Sequence, residues 1–303
     1  MNAEVPPTID PPAALRWQRL QSAPSPWLHE EVGRRMEERL QWIKLQPQSW
    51  ADWAPLRGGL QGHARLVGRY PRAQCYAVDS ASAHARAALA AIEGPWWSPS
   101  RWRAAPTRFQ TPADGAVQML WANMALHMAP DPQSLIGRWH RALAQDGFLM
   151  FSCLGPDTLR ELRALYRALH WPAPMQAFTD MHDWGDMLVG AGFAEPVMDM
   201  ERIRLSFATP QRLLRELREL GRNLHPERFA ALRGRQWRRR LEDTLAGELS
   251  DPAQGGQLTL TFEVIYGHAF KPPVRLRVQK ETVLSLEQMR DSIRQGRKPV
   301  SGA

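Results

Sequence analysis

The stretch Gly147-Phe-Leu-Met-Phe-Ser-Cys-Leu154 decides the fold class, because it is apolar at almost every position and has the length of one strand. A run of this kind is typical of a strand that is buried on both faces of a parallel sheet. The residues that follow, Thr158-Leu-Arg-Glu161, match the capping box that opens a helix. We therefore interpret residues 147–169 as a strand followed by a helix, the repeating unit of an α/β protein.

The same alternation of strand and helix occurs earlier in the chain. Residues 74–78 form an apolar run that ends at Asp79 and precedes an Ala-rich helical segment at 81–92. Residues 116–121 form another run, and a helical pattern follows at 132–144. Strands that alternate with helices predict a mostly parallel sheet with helices on both of its faces.

Changes in composition along the chain predict its domain organisation. Residues 1–27 are rich in Pro, Ala and Ser, which indicates a loosely ordered N-terminal arm. We expect one α/β domain at 28–285, in which Arg-rich helices at about 210–250 form an insertion. Strand-like runs resume at 258–270 and 274–283, and residues 286–303 form a C-terminal tail.

The basic charge of the chain is concentrated in one segment. The formal net charge is +8, and ten Arg stand against three Glu between Arg212 and Arg240. Such a run is either a solvated helical face or a contact surface for an anionic partner. Its aromatic residues are only Phe229 and Trp237, and we find no nucleic-acid-binding motif, so nucleic acid ranks last among the anionic partners.

The cysteines and the N-terminus indicate the compartment. Cys75 and Cys153 have no Cys or His at ligand spacing, which predicts neither a disulfide framework nor a metal site. The N-terminus lacks the basic start and apolar core of a signal peptide. No apolar run approaches the roughly 18 residues that span a bilayer. We therefore expect a cytoplasmic protein without a membrane partner.

Four residues near the carboxyl ends of the strands are candidates for cofactor binding: Asp52, Gly58, Asp79 and Asn123. Open parallel sheets bind ligands at this edge. The Asp79 carboxylate can accept hydrogen bonds from both ribose hydroxyls or cap the next helix, and Asn123 can bind a cofactor's amino-acid moiety or cap its turn. Gly58 either permits close approach of a ligand to the backbone or forms a simple turn. We expect Asp52, Asp79 and Asn123 to surround a common hollow.

Three further residues are candidates for a catalytic role toward a substrate bound at this edge. His127 either faces this substrate or is a structural histidine among apolar residues. Arg160 and Arg163 open the helix after residue 154, and a guanidinium group binds a carboxylate through two parallel hydrogen bonds. The alternative is that both arginines are surface residues paired with Glu161 and its neighbours.

Several stretches resemble the malonyl-acyl-carrier-protein O-methyltransferases of biotin synthesis. Residues 147–163 and 258–270 carry the specific resemblance, and residues 28–40, 121–128 and 206–221 add less specific matches. The resemblance implies a Rossmann-like methyltransferase fold with a seven-stranded sheet and S-adenosylmethionine as cofactor. It implies methyl transfer to the free carboxylate of a malonyl thioester, and an acidic acyl-carrier protein as partner that suits the segment 212–240.

The glycine-rich cofactor loop of this family, Asp-x-Gly-x-Gly-x-Gly, is partly present. Asp52 matches its acid and Gly58 its last glycine, whereas Ala54 and Leu56 replace the first two glycines. A leucine at this place puts a side chain near the cofactor's amino-acid end and lowers the expected affinity.

The remaining cofactor positions of the family match in part. Asp79 matches the ribose-binding acid and Asn123 matches as well, whereas the acid after the third strand has no counterpart at 103–107. Two functions follow from this pattern. The first is an S-adenosylmethionine-dependent O-methyltransferase, and the second is a methyltransferase fold that has lost catalysis and serves as a binding or scaffold protein.

Overall fold

A computed structural model of the chain describes residues 9–19, 25–80, 82–92, 105–252 and 255–273, with the single positions 287 and 290. The internal contacts divide the chain into two units, Met1–Pro272 and Pro273–Ala303. All helices and strands named below belong to the first unit. The strand expected at 274–283 lies outside the described residues, and the domain boundaries at 28 and 285 stay predictions.

A mixed sheet of seven strands forms the centre of the first unit. The strands are β1 (Ser49–Trp53), β2 (Gln74–Val78), β3 (Val117–Ala122), β4 (Leu143–Leu154), β5 (Ala194–Phe207), β6 (Ser250–Asp251) and β7 (Gln257–Phe270). Their order is β2-β1-β3-β4-β7-β5, and β6 pairs with β7. The first four strands are parallel, whereas β7 runs antiparallel to β4, β5 and β6. The α/β fold class is confirmed, with the parallel part limited to β1–β4.

Helices cover both faces of this sheet. They are α1 (Pro11–Arg19), α2 (Trp27–Arg39), α3 (Pro55–Gly58), α4 (Leu60–Arg69), α5 (Ser82–Ile92), α6 (Pro132–Ala142), α7 (Arg160–Ala168), α8 (Met181–Gly190), α9 (Pro210–Leu220) and α10 (Arg235–Glu248). Helices α9 and α10 occupy the predicted insertion at 210–250.

Alternation along β4 divides the apolar core between the two faces. Phe148 and Met150 belong to one core cluster with residues of α2, α7, α9 and α10, whereas Leu149 and Phe151 belong to another with residues of α6 and α8. This is the pattern expected when successive side chains of a buried strand point to opposite faces.

Part of the segment predicted as a loosely ordered arm is helical. Within 1–27, helix α1 buries Ala13 and Ala14 in a small cluster with Leu224. The backbone N–H of Asp10 donates to the carbonyl of Leu224 at 2.8 Å, and the Asp10 carboxylate lies 2.6 Å from Arg228. These contacts tie α1 to the chain that follows α9.

The predicted capping box at Thr158 and Glu161 is wrong. The residue before α7 is Leu159, which makes no capping hydrogen bond through its side chain. The Thr158 hydroxyl donates to the carbonyl of Glu263, and the Glu161 carboxylate accepts from the hydroxyl of Thr261 at 2.5 Å. Both side chains therefore form hydrogen bonds with strand β7, although the local pattern assigned them to the start of the helix.

We expect Gly267→Ala to lower the free energy of unfolding by about 1–3 kcal/mol, because the sheet has no room for a side chain there. A Cβ at Gly267 would lie 2.3 Å from Cε1 of Phe151, whereas a Cβ at Gly185 in helix α8 meets nothing within 4 Å. The control Gly185→Ala should leave stability unchanged or raise it by up to about 1 kcal/mol. Urea denaturation of both variants measures this, and equal stabilities would contradict the close packing at Gly267.

Candidate active site

A cavity of about 550 Å³ opens at the carboxyl ends of β1 and β3. Its volume lies within the roughly 300–1,000 Å³ that small-molecule sites occupy. The two strands contribute the residues that follow them, and helices α1, α2, α6 and α9 supply the rest. The lining includes Trp17, His29, Trp53, Ala54, Leu56, Arg57, Gly58, Asn123, Met124, Met128, Ser134, Arg138, Arg218, Leu220 and Arg222. The position is the ligand-binding edge predicted for the parallel sheet.

The turn after β1 keeps a backbone shape that favours glycine. Ala54 has a φ of 63°, in the left-handed region, and its N–H donates to the carbonyl of Val78 at 2.8 Å. This conformation costs a non-glycine residue roughly 1–2 kcal/mol. Leu56 is 6% exposed and lines the cavity without filling it. Ala54 therefore strains the turn, and Leu56 adds a side chain to the cavity wall. The cavity stays open despite both departures from the glycine-rich loop.

Gly58 is required by its close approach to β3. A Cβ at this position would lie 2.7 Å from the carbonyl oxygen of Asn123. No ordinary side chain fits at that distance, so a glycine is needed here whatever the ligand.

The side chain of Asn123 connects the segments around the cavity. Its amide nitrogen donates to the carbonyl of His29 at 2.8 Å and to the carbonyl of Gly58. Its amide oxygen accepts from the hydroxyl of Ser152 at 2.6 Å, and this hydroxyl accepts from the N–H of Met124 at 3.0 Å. Asn123 is 1% exposed, so its amide joins α2, the turn after β1, and β4.

Asp52 contacts helix α4 and is not among the residues that line the cavity. Its carboxylate lies 2.8 Å from Nδ1 of His63, and both side chains are buried. Burial raises the pKa of Asp52, and the neighbouring His63 opposes that rise. The contact explains why an acid at the end of β1 is tolerated in the core: it is paired.

Asp79 reaches the cavity wall indirectly. Its carboxylate accepts a long hydrogen bond of 3.4 Å from the N–H of Leu56. Gly58 and Asn123 therefore line the cavity, Asp79 contacts the turn that lines it, and Asp52 pairs with α4. The role of these four residues toward a cofactor stays a prediction.

A second cavity of about 260 Å³ lies at the carboxyl end of β4 and includes His127. Burial lowers the pKa of His127 to about 3, so its ring is neutral at physiological pH. Its Nδ1 accepts from the N–H of Leu154 at 3.4 Å, and the ring of Phe178 contacts it edge to face. The geometry brings His127 to a cavity but leaves it without charge.

Arg160 and Arg163 line neither of these two cavities. The exposed Arg160 pairs with Glu161 at 3.4 Å and lies 3.9 Å from Asp157. Arg163 donates to the carbonyl of Pro156. The contacts of Arg160 are those of the alternative interpretation, a surface residue paired with its neighbours.

The cavity contains residues that the sequence did not single out as site residues. Trp17 comes from the arm, and the Arg57 guanidinium lies 4.0 Å from the centre of its ring. Burial lowers the pKa of His29 to about 4, and its Nδ1 donates to the carbonyl of Arg57 at 2.6 Å. Arg218 in α9 and Arg222, two residues beyond the end of α9, lay within the Arg-rich segment, and nothing in that run of like residues distinguished them.

The described part of the chain has neither a cluster of metal ligands nor a membrane-spanning helix. Among its residues, no group of three His, Cys, Asp or Glu side chains is arranged to hold a metal ion. No helix in the described ranges is both long and apolar enough to cross a membrane.

Curated relatives of this chain are methyltransferases. A malonyl-acyl-carrier-protein O-methyltransferase from Gallionella capsiferriformans is 37% identical over 257 residues, which cover 82% of this chain and 86% of the relative. The protein of the same name from Laribacter hongkongensis is also 37% identical, over 82% of this chain and 84% of the relative. No family model matches the chain.

Two solved structures have a similar fold. YcgJ from Bacillus subtilis gives a TM-score of 0.51 at 15% identity, over 81% of this chain and 99% of YcgJ. A putative methyltransferase from Bacillus halodurans gives a TM-score of 0.51 at 16% identity, over 80% of this chain and 100% of that structure. At these identities the similarity supports the Rossmann-like methyltransferase fold and nothing finer.

We expect Asn123→Asp to lower the free energy of unfolding by on the order of 3 kcal/mol, because an isosteric carboxylate cannot donate to the carbonyls of His29 and Gly58. Asn223→Asp is the matched control, since the half-buried Asn223 donates to one carbonyl, that of Ala173, at 2.7 Å. The control should lose at most about 1.5 kcal/mol. Urea denaturation at neutral pH measures both, and an equal loss would contradict the connecting role of Asn123.

The buried His127 predicts a loss of stability in mild acid. Below about pH 6.5, the ordinary pKa of histidine, the unfolded chain binds a proton at this ring, while the folded ring, with a pKa of about 3, does not. The free energy of unfolding therefore falls as the pH is lowered, by about 2 kcal/mol at pH 5 from this group alone. His127→Gln should reduce the difference in stability between pH 7 and pH 5 by that amount, as measured by denaturation. An unchanged difference would show that the ring is not buried as a neutral group.

Proposed function

The chain belongs to the malonyl-acyl-carrier-protein O-methyltransferase family, and we propose that it transfers a methyl group from S-adenosylmethionine to the free carboxylate of malonyl-acyl-carrier protein. The observation that carries this proposal is the open cavity of about 550 Å³ at the carboxyl ends of β1 and β3. This is the edge at which Rossmann-type sheets bind nucleotide-containing cofactors. Such a transfer masks the negative charge of the malonyl group, in keeping with the resemblance to enzymes of biotin synthesis.

The side chains around the cavity have the chemical groups that S-adenosylmethionine needs for binding. The Asp79 carboxylate beside the turn offers an acceptor for the ribose hydroxyls. Arg138 of the lining can bind the carboxylate of the amino-acid end. Leu56 borders this space and leaves it open, which argues against the alternative of a scaffold that cannot accept the cofactor.

The proposed chemistry asks little of acid or base groups. When bound, S-adenosylmethionine supplies a methyl group whose sulfur leaves with the bonding electrons as the carboxylate oxygen forms the new C–O bond. A malonyl carboxylate is ionised at neutral pH and needs no general base. The neutral ring of His127 is therefore no obstacle, and the protein's task is to align the two reactants and to exclude water.

The Arg-rich segment 212–240 is the proposed contact for the acidic carrier protein. Arg215, Arg235 and Arg239 are exposed and form no ion pair with a described residue. Exposed charges of one sign speed up association with a partner of the opposite sign and are screened by salt.

Methyl transfer is tested by incubating the purified protein with S-adenosylmethionine and malonyl-acyl-carrier protein, and by detecting the methyl ester by mass spectrometry. We expect ester on the malonyl carrier and none on acetyl-acyl-carrier protein, which has no free carboxylate. Added salt should lower kcat/KM more for the malonyl carrier than for malonyl-pantetheine, which lacks the carrier. Absence of ester from both malonyl substrates would contradict the proposed reaction.

We expect Asp79→Asn to weaken binding of S-adenosylmethionine about 10- to 100-fold, because it removes a charged acceptor worth about 1.5–3 kcal/mol per hydrogen bond. Asp114→Asn is the control, since Asp114 is exposed and lines no cavity described above. Calorimetric titration measures both affinities. Unchanged affinity in Asp79→Asn would remove Asp79 from the cofactor site.

A further inference from the structure

Two arginines lie where the two cavities meet. Arg218 and Arg222 line both the larger cavity at β1 and β3 and the smaller cavity at β4, together with Met128 and Leu220. A group bound at this junction is therefore accessible from both spaces. In a transfer reaction this is where a donor in one cavity meets an acceptor in the other.

The smaller cavity has a mainly apolar wall, and its charged side chains are these two arginines. Its wall is built mainly of aliphatic and aromatic side chains, including Leu154, Leu159, Leu162, Leu214, Leu217 and Phe262. His127 in this wall is neutral, and its remaining polar side chains are the uncharged Thr158, Gln176 and Asn223. Arg218 and Arg222 are thus the charged groups among the described residues of this lining.

The positive charge at the junction is not neutralised by an ion pair within the described chain. Arg222 donates to the carbonyl of Gly221 at 2.8 Å and lies 5.2 Å from the centre of the Trp17 ring, and neither contact is with an acid. Arg218 forms no ion pair with a described residue. Burial lowers the pKa of Arg222, and the charge of Arg218 lowers it further. Two cations held together in this way favour an anion between them.

We propose that Arg218 and Arg222 bind the free carboxylate of the acceptor, with the thioester end of the acyl group in the apolar cavity at β4. This inference rests on the proposed transfer to a malonyl thioester and names the residues that select its charged end. Guanidinium groups bind a carboxylate with fixed geometry, so they also orient the attacking oxygen. Arg218 and Arg222 then take the role that the sequence suggested for Arg160 and Arg163.

The methyl donor also has a carboxylate, and this group could bind Arg218 and Arg222 instead of the acceptor. The lining of the apolar cavity favours the acceptor, because Arg218 and Arg222 belong to it while Arg138 belongs to the larger cavity alone. Replacing the arginines should weaken binding of the malonyl compound if they bind the acceptor. It should weaken binding of S-adenosylmethionine if they bind the donor.

The test compares Arg218→Gln and Arg222→Gln with Arg65→Gln, a control whose exposed side chain on α4 lines neither cavity. Binding of malonyl-pantetheine and acetyl-pantetheine is titrated in the presence of S-adenosylhomocysteine, and binding of S-adenosylmethionine is titrated separately. We expect malonyl-pantetheine to bind about 10-fold or more weakly to the first two variants, as for loss of a hydrogen bond to a charged group. Acetyl-pantetheine and S-adenosylmethionine should bind as to the wild type, and Arg218→Lys should restore part of the affinity.

Two results would overturn the inference. One is equal binding of malonyl-pantetheine by all three glutamine variants. The other is a parallel loss of S-adenosylmethionine affinity, which would assign the arginines to the donor. Because these are binding measurements, they stand apart from the assay of methyl transfer, whose failure would contradict the reaction and not the site.

Discussion

The cavity depends on the amide group of Asn123, which holds three separate parts of the chain at fixed distances. Two backbone carbonyls, from helix α2 and from the turn after β1, accept from its nitrogen, and Ser152 of β4 donates to its oxygen. A buried amide with all these partners is rigid, because each lost hydrogen bond would leave a buried polar group without a partner. This constraint accounts for a turn that stays in place although Ala54 holds a left-handed φ of 63° that glycine adopts more easily. Tertiary hydrogen bonds thus hold this cavity wall in place, where a glycine-rich loop would adopt its conformation without strain.

The parts of the fold that the sequence predicted are those governed by local apolar pattern. Residues 74–78 and 147–154 are buried strands, as their apolar runs indicated, and the alternation from Leu258 to Tyr266 does place those side chains in one core cluster. The sequence also placed Asn123 at the correct edge of the sheet, since the carboxyl ends of parallel strands share one edge.

What the sequence missed depends on contacts between distant segments. Thr158 and Glu161 had a helix-capping pattern, but β7 lies beside them and binds both. The arm gave no apolar pattern that would predict Trp17 at the cavity. Arg218 and Arg222 were hidden in a run of like residues, because charge alone does not distinguish a solvated face from a binding group.

The charges of the site suit a reaction that requires positioning more than proton transfer. His29 and His127 are neutral through burial, and the charged side chains at the junction of the cavities are the guanidinium groups of Arg218 and Arg222. A crystal structure of the protein with S-adenosylhomocysteine tests this account most directly. We expect the ligand in the cavity that the turn at 54–58 and Asn123 line, with the Asn123 hydrogen bonds unchanged and the thioether sulfur directed toward Arg218 and Arg222. Ligand bound elsewhere, or Leu56 occupying the cavity in its place, would contradict it.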